Sequence, residues 1–232
     1  YNPIGINKNE ILSVKKVKSG MDFKSAMKRP FQDTTKLIIG CALNIVPIVN
    51  FLATGYVLKS GKLTLNKKND LPEWTDWGNL FIMGLLAAVI GLIWMIPAIV
   101  VAVIGGGAAI ASLVTAGATG ATGLGVGGLA GAGVLLVIAA LLALIAAYFA
   151  PLAVLGYVDK GNFGDGFDFS TIFKKAFTGD YAIAWLLTGV VAIVLGTVAG
   201  IIPYVNFILS PAASFISMMI GITLIGSVYR NL

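Results

Sequence analysis

The feature that most constrains this chain is an 82-residue run, 77–158, without a single Asp, Glu, Lys or Arg. A second charge-free run, 181–229, is 49 residues long. A water-exposed surface needs charge at shorter intervals, whereas a charge at the centre of a bilayer costs about 3 kcal/mol or more. Because a bilayer also requires internally paired backbone groups, the sequence predicts an all-α integral membrane protein.

The apolar stretches give the expected number of crossings. A helix of about 20 apolar residues spans a hydrocarbon core of about 30 Å. Four full transmembrane helices are predicted, at 80–104, 134–158, 181–202 and 204–229. A further stretch, 37–58, is long enough to be a fifth span.

The charged residues predict the orientation. The net charge is +6, and all 26 charges lie in 1–76, in 159–180 and at Arg230. Basic segments that flank apolar spans are typical of cytoplasmic loops, so no nucleic-acid partner is expected. We therefore expect a multi-pass protein of the cell membrane whose charged loops and C-terminus face the cytoplasm.

Two segments, 22–31 and 168–177, align without gaps and carry apolar residues at i, i+3, i+4 and i+8. This spacing predicts two amphipathic helices at the membrane interface, with aromatic rings among the acyl chains and cations at the headgroups. The predicted anchors are Phe23, Phe31, Phe169, Phe173, Phe177, Lys174 and Lys175. The alternative is a cytoplasmic helix packed on the protein's own loops.

A Pro-x-Val-Asn-Phe motif follows each amphipathic segment and predicts a helix break, because Pro ends or kinks helices and Asn tolerates turns. The break residues are Pro47 and Asn50 in the first copy and Pro203 and Asn206 in the second. The alternative is a proline kink in a continuous helix.

The repeated amphipathic segment and the repeated Pro-x-Val-Asn-Phe motif together predict an internal two-module repeat. A basic tail, 1–34, carries the first amphipathic helix. One membrane domain, 35–230, holds module 1 (22–76), a Gly-rich central hairpin (77–158) and module 2 (159–230).

The arm before Pro47 has only about ten residues, or about 15 Å of helix. We therefore expect 37–58 to form a re-entrant helical hairpin, with a single kinked span as the alternative.

Trp74 and Trp77 precede the second apolar segment and are expected to anchor it at the headgroup level. Glu73 and Asp76 lie beside them and raise the alternative of a carboxylate pair. Catalysis is not expected, because no partnered base, metal-ligand set or nucleophile accompanies them.

These residues also resemble a known family. The segment Leu-Pro-Glu-Trp-Thr-Asp-Trp-Gly-Asn-Leu-Phe at 71–81, with Gly55-Tyr56 before it, is similar to the domain of unknown function 4013. That family comprises multi-pass membrane proteins found mainly in archaea. The resemblance covers about residues 35–230, departs from the usual pattern in the Gly-rich middle, and implies no activity or functional residue.

Residues 105–131 contain ten Gly and seven Ala. Gly123, Gly125 and Gly128 match a G-x-G-x-x-G pattern, but a dinucleotide site also needs a preceding strand and a downstream acid. An irregular membrane-adjacent connection is expected, because each Gly costs a helix about 1 kcal/mol relative to Ala. The alternative is close helix packing along Gly123, Gly127 and Gly131.

With no His and a single Cys, the sequence predicts a protein that is not an enzyme and has no cofactor or metal. We expect a scaffold, an assembly factor or an accessory subunit of a membrane complex. Its expected partners are anionic lipid headgroups and either a membrane protein or further copies of itself. The alternative is a transporter or channel for a small neutral solute, which interrupted helices and repeats would suit.

Overall fold

The structure, a computed structural model, describes residues 23–120, 122–201 and 204–232. In these ranges the chain is helical and contains no β-strand. Residues 1–22 of the basic tail 1–34, which include Asp22, lie outside these ranges. Pro203 of the second bend motif lies outside them as well. Four described helices are long and apolar enough to cross a membrane, which confirms the prediction of an all-α, multi-pass membrane protein.

The helices follow in chain order as α1 (Phe23–Lys28), α2 (Thr34–Ile45), α3 (Asn50–Leu65), α4 (Trp77–Thr119), α5 (Thr122–Lys160), α6 (Phe169–Ala176), α7 (Gly179–Ile201) and α8 (Asn206–Tyr229). Short 3₁₀ segments at Arg29–Phe31 and Phe163–Phe167 precede α2 and α6. The candidate spans are α4, α5, α7 and α8.

The chain divides into two compact units. The first combines Tyr1–Ala88 with Pro151–Leu232, and the second is Val89–Ala150. The first unit therefore contains α1–α3, the beginning of α4, the end of α5 and α6–α8, whereas the second consists of the long middle parts of α4 and α5.

Helix α8 is the centre of the first unit, where it contacts α1, α2, α3 and α7. Its most apolar window is 44% buried, against 17% for α7. Tyr56 of α3 and Phe215 and Met219 of α8 form one buried cluster. Ile220 and Leu224 of α8 form another with α1 and α7.

Small residues allow two helices of this unit to approach closely. A Cβ added at Gly55 of α3 would overlap the backbone carbonyl of Leu80, and one added at Gly84 of α4 would overlap that of Phe51. In membranes such contacts replace the hydrophobic effect as the source of helix association, because lipid is as apolar as Leu.

Residues 37–58 form two helices that fold back on one another. The indole of Trp74 donates a hydrogen bond to the carbonyl of Lys36 at 3.3 Å and stacks on Tyr56 at a centroid distance of 3.9 Å. A straight helix would separate Lys36 and Tyr56 by about 30 Å. The far end of α2 is held by Asn44, whose side-chain amide donates to the carbonyl of Pro211 at 2.7 Å.

The expectation of an irregular connection at 105–131 is wrong. Helix α4 continues to Thr119 and α5 begins at Thr122, so helix covers most of this stretch. In the second unit a Cβ at Gly125 would overlap Ala116, and one at Gly128 would overlap Ser112. Close packing at these glycines stabilises helices that their composition alone disfavours. The stripe at Gly123, Gly127 and Gly131, which was the alternative for this segment, faces open space.

Candidate functional site

Arg29 is only 1% exposed. Its guanidinium donates to the hydroxyl of Thr64, to the carbonyl of Ser60 at 3.0 Å and to the carbonyl of Asp70 at 3.2 Å. Desolvation lowers the pKa of Arg29, while Tyr56 and Asp70 oppose that shift. Within the described residues its Nε has no hydrogen-bond partner.

Lys175 is aligned with Arg29 in the matching segments 22–31 and 168–177, and it is also turned inward. Its ammonium donates to the carbonyl of Tyr229 at 2.5 Å and lies 3.8 Å from the centroid of the Tyr229 ring. Desolvation lowers the pKa of Lys175, while the Asp159 carboxylate opposes that shift. The structure thus assigns Lys175, expected at the lipid headgroups, to the end of α8.

Arg29 and Lys175 therefore make the same kind of contact. Arg29 directly follows α1, whereas Lys175 lies in the last turn of α6. Arg29 binds the carbonyl of Ser60 near the C-terminal end of α3, and Lys175 binds that of Tyr229 at the end of α8. A cation at this position is favoured because the helix dipole leaves partial negative charge there. Sequence reasoning missed Arg29, although its alignment with Lys175 was the available signal.

The two Pro-x-Val-Asn-Phe motifs have matching backbones where both are described. Ile48 and Tyr204, each directly after the motif proline, are left-handed, with φ of 72° and 67°. The next helix begins at Asn50 in one copy and at Asn206 in the other. The structure places Pro47 between α2 and α3.

Trp74 and Trp77 have different surroundings. Trp74 is half-buried and packs against the cluster around Tyr56 and Phe215. Trp77 is 45% exposed and stacks on Trp74 at a centroid distance of 5.6 Å. Trp74 is thus a packing residue of the first hairpin, whereas Trp77 keeps nearly half of its surface exposed.

The two amphipathic helices bury the same position of their pattern. Ala26 and Ile172, both at i+3, are buried. The other predicted aromatic anchors are all exposed: Phe23, Phe31, Phe169, Phe173 and Phe177. Lys174 is exposed as well. Each helix therefore docks on the protein through one face and presents aromatic rings on another.

The charged loops meet at one end of the first unit. Arg230 donates to Asp159 at 3.1 Å and to the side chain of Asn66 at 3.2 Å. Lys36 pairs with Glu73 at 2.6 Å. The Arg230 contacts bring Asn66, the start of 159–180 and the end of α8 together.

Glu73 and Asp76, the two carboxylates beside Trp74, differ in their surroundings. Glu73 is engaged with Lys36, and Asp76 occupies a left-handed backbone position with φ of 60°. Among the described residues no group of three or more His, Cys, Asp or Glu side chains could hold a metal ion.

A family model described as "Protein of unknown function (DUF4013)" matches residues 38–204. This chain belongs to the DUF4013 family. The match confirms the resemblance seen at the Trp74 motif and spans most of α2 through the start of the second bend. No curated protein and no solved structure matches this DUF4013 protein. Its geometry is therefore the basis for any further assignment.

Proposed function

We propose that this DUF4013 protein is a non-enzymatic scaffold, assembly factor or accessory subunit of a membrane complex. The observation that carries the proposal is the low burial of three spans: the most apolar windows of α4, α5 and α7 are each 17% buried. Helices with such open faces suit contact with the spans of other proteins or further copies.

Helix α7 offers the best-defined surface of this kind. Its exposed apolar residues are Ile183, Leu186, Val190, Ile193, Val194, Val198 and Ile201. The opposite face docks on α8, where Gly221 lies against Thr188. One side of α7 therefore packs against α8 of the same chain, and the other side is exposed to contact another protein.

The polar contacts support a structural rather than a catalytic role. Arg29, Asn44 and Lys175 bind backbone carbonyls and join helices to each other. Lys36 and Arg230 are held in ion pairs. Arg29, Lys36 and Lys175 therefore join segments of the chain, while Lys174 remains exposed toward anionic headgroups.

For the membrane arrangement, we propose that the charged end of the first unit faces the cytoplasm. Spans α4 with α5, and α7 with α8, then give four crossings. Helices α2 and α3 form a re-entrant hairpin that enters and leaves on the cytoplasmic side. The amphipathic helices α1 and α6 lie at the interface with their exposed Phe residues in lipid.

We also propose that α1–α3 and α6–α8 are two copies of one module. Three parallels support this duplication: the buried i+3 residue, the inward cation, and the left-handed residue after the motif proline. Chance would rarely repeat a left-handed, non-glycine residue at the same place of two motifs.

Impermeant thiol reagents test the arrangement in intact cells and inverted vesicles. In a Cys41→Ser background, single cysteines at Lys16 and Lys62, on either side of 37–58, should both react from the cytoplasmic side and one at Thr119 from the other. Labelling of Lys16→Cys and Lys62→Cys from opposite sides would reject the re-entrant hairpin.

A photo-crosslinking residue tests the scaffold role. Placed at exposed Val190, it should yield one discrete product, identified by mass spectrometry as a membrane protein or a second copy. Leu187, which packs toward the α8 cluster, is the matched position and should crosslink within the chain. Lipid adducts alone at Val190 would contradict the scaffold role.

The interrupted helices also favour the second candidate, a facilitator for a neutral solute. Reconstitution into liposomes distinguishes the two, since a scaffold should leave glycerol and urea permeability unchanged. Faster solute entry than in protein-free liposomes would support the facilitator.

A further inference from the structure

A cavity of about 330 Å³ lies between the C-terminal turns of α3 and α8. This size is at the lower end of ligand pockets, which measure roughly 300–1,000 Å³. Buried Thr64 and Thr223 line its inner part, and exposed Lys67, Asn69 and Arg230 line its rim. The lining is mainly polar and includes two cations but no carboxylate.

The charges around the cavity favour an anion. Arg230 is partly compensated by Asp159, whereas Lys67 has no ion pair within the described residues. Directly behind Thr64 lies the buried guanidinium of Arg29, which bonds that hydroxyl and pairs with no carboxylate among the described side chains. These three cations oppose the partial negative charge of the two helix ends.

Lys67 occupies a left-handed backbone position that is usually taken by glycine. It follows Asn66 at the end of α3 with φ of 58°, and its amide donates to the carbonyl of Thr64 at 2.9 Å. A left-handed residue at this point of a helix terminus is usually Gly, because a side chain there costs about 1 kcal/mol. A cation at a strained backbone position on a cavity rim is consistent with a binding role.

We propose that this cavity binds a phosphate group, carried either by an anionic lipid headgroup or by a soluble phosphate compound. Lys67 and Arg230 supply charge at the rim, and the side-chain amides of Asn69 and Asn231, which also line the cavity, can donate further hydrogen bonds. The lipid source rests on the membrane arrangement proposed above, while the site itself does not depend on the scaffold role.

The test compares variants of the full chain. Lys67→Gln removes the rim cation, and Lys68→Gln is the matched control, since Lys68 neighbours it but does not line the cavity. Lys67→Gly removes the same charge while suiting the left-handed backbone, so lost binding in that variant cannot be attributed to misfolding.

Native mass spectrometry then counts retained lipid, with phosphatidylglycerol as the anionic probe and phosphatidylcholine as the zwitterionic one. We expect the native chain to retain one phosphatidylglycerol selectively, and both Lys67 variants to lower its affinity about tenfold while Lys68→Gln changes it less than twofold. Inorganic phosphate is the soluble probe, read as a thermal shift that both Lys67 variants abolish.

The possible outcomes distinguish a lipid headgroup from a soluble phosphate compound, and they distinguish a failure of the phosphate site from a failure of the scaffold role. Selective lipid retention supports the headgroup, and a Lys67-dependent phosphate shift without lipid selectivity supports a soluble compound. Equal effects of Lys67→Gln and Lys68→Gln, or no response to either probe, would overturn the site. Crosslinking from Val190 should stay unchanged in every variant, so failure here leaves the scaffold proposal standing.

Discussion

The two helical hairpins, α2–α3 and α7–α8, share a bend motif but differ in length. Helix α2 has 12 residues before its bend, whereas α7 has 23. At about 1.5 Å per residue, α7 is long enough to cross a bilayer and α2 is not. The comparison teaches that one bend motif can follow arms of very different length, so the motif determines where the chain turns and the arm determines how far the turn lies from the start of the hairpin.

The two hairpins also differ in what surrounds them. Nine of the 16 residues of α3 are buried, against four of the 23 in α7. The short hairpin packs against α8 and the start of α4, whereas α7 keeps one face exposed.

The largest effect should come from filling the closest contact of the short hairpin. Gly55→Ala forces α3 away from the carbonyl of Leu80, at an expected cost of about 3 kcal/mol or more, because the obstacle is backbone. Gly196→Ala in α7 meets nothing within 4 Å and is the matched control. Unfolding in mixed micelles measures both. Equal losses would mean that α7 is as tightly packed as α3.

The next largest losses of stability are expected from removing Arg29 and Lys175, the two cations that are turned into the protein, and these two losses should differ. Arg29→Ala removes three hydrogen bonds but also relieves a buried charge, so we expect a net loss of about 1.5–3 kcal/mol. Lys175→Ala should cost about 1 kcal/mol, because Lys175 is only half-buried and has one carbonyl and one ring as partners.

Exposed Lys28→Ala controls for charge alone in the same unfolding experiment. A Lys175→Ala loss as large as that of Arg29→Ala would contradict the difference between the modules.

A smaller effect of opposite sign is expected at the bends. Ile48→Gly should stabilise the protein by about 0.5–1 kcal/mol, since Gly removes the left-handed strain but makes the unfolded chain more flexible. Tyr204→Gly should behave alike, and Ile48→Ala should give no such gain. Destabilisation by both Gly variants would show that the two bends need their side chains.

The smallest expected effect is the response of the start of α6 to low pH. The hydroxyl of Thr171, and then its amide, donate to Asp168 and hold the pKa of that carboxyl below its usual value of 3.8. A depressed pKa stabilises the start of α6 at higher pH, and this contribution is lost as the pH falls through the folded-state pKa.

The protection of the Thr171 amide against hydrogen exchange, corrected for the intrinsic rate at each pH, should therefore fall as the pH drops below the usual carboxyl value of 3.8. Asp168→Asn keeps an oxygen acceptor without titrating and should abolish the pH dependence. An unchanged pH profile in Asp168→Asn would assign the effect to another group.

The sequence was sufficient for the features that depend on local chemistry. Charge-free runs of 82 and 49 residues cannot be accommodated on a wet surface, so the membrane class followed directly. The motif at Pro47 to Phe51 indicated a bend because Pro lacks an amide hydrogen. The family followed from the residues around Trp74, and its match over 38–204 confirmed it.

Only the tertiary structure decided which side chains face which partners. The Gly-rich stretch is helical because Gly125 and Gly128 pack against the facing helix, a gain that helix propensity does not contain. Trp74 packs on Tyr56, and Lys175 binds the end of α8, because segments distant in sequence meet there. The buried Arg29 and the cavity beside it arise for the same reason: their charge and hydroxyl groups come from several separate segments, and no local pattern records that they will meet.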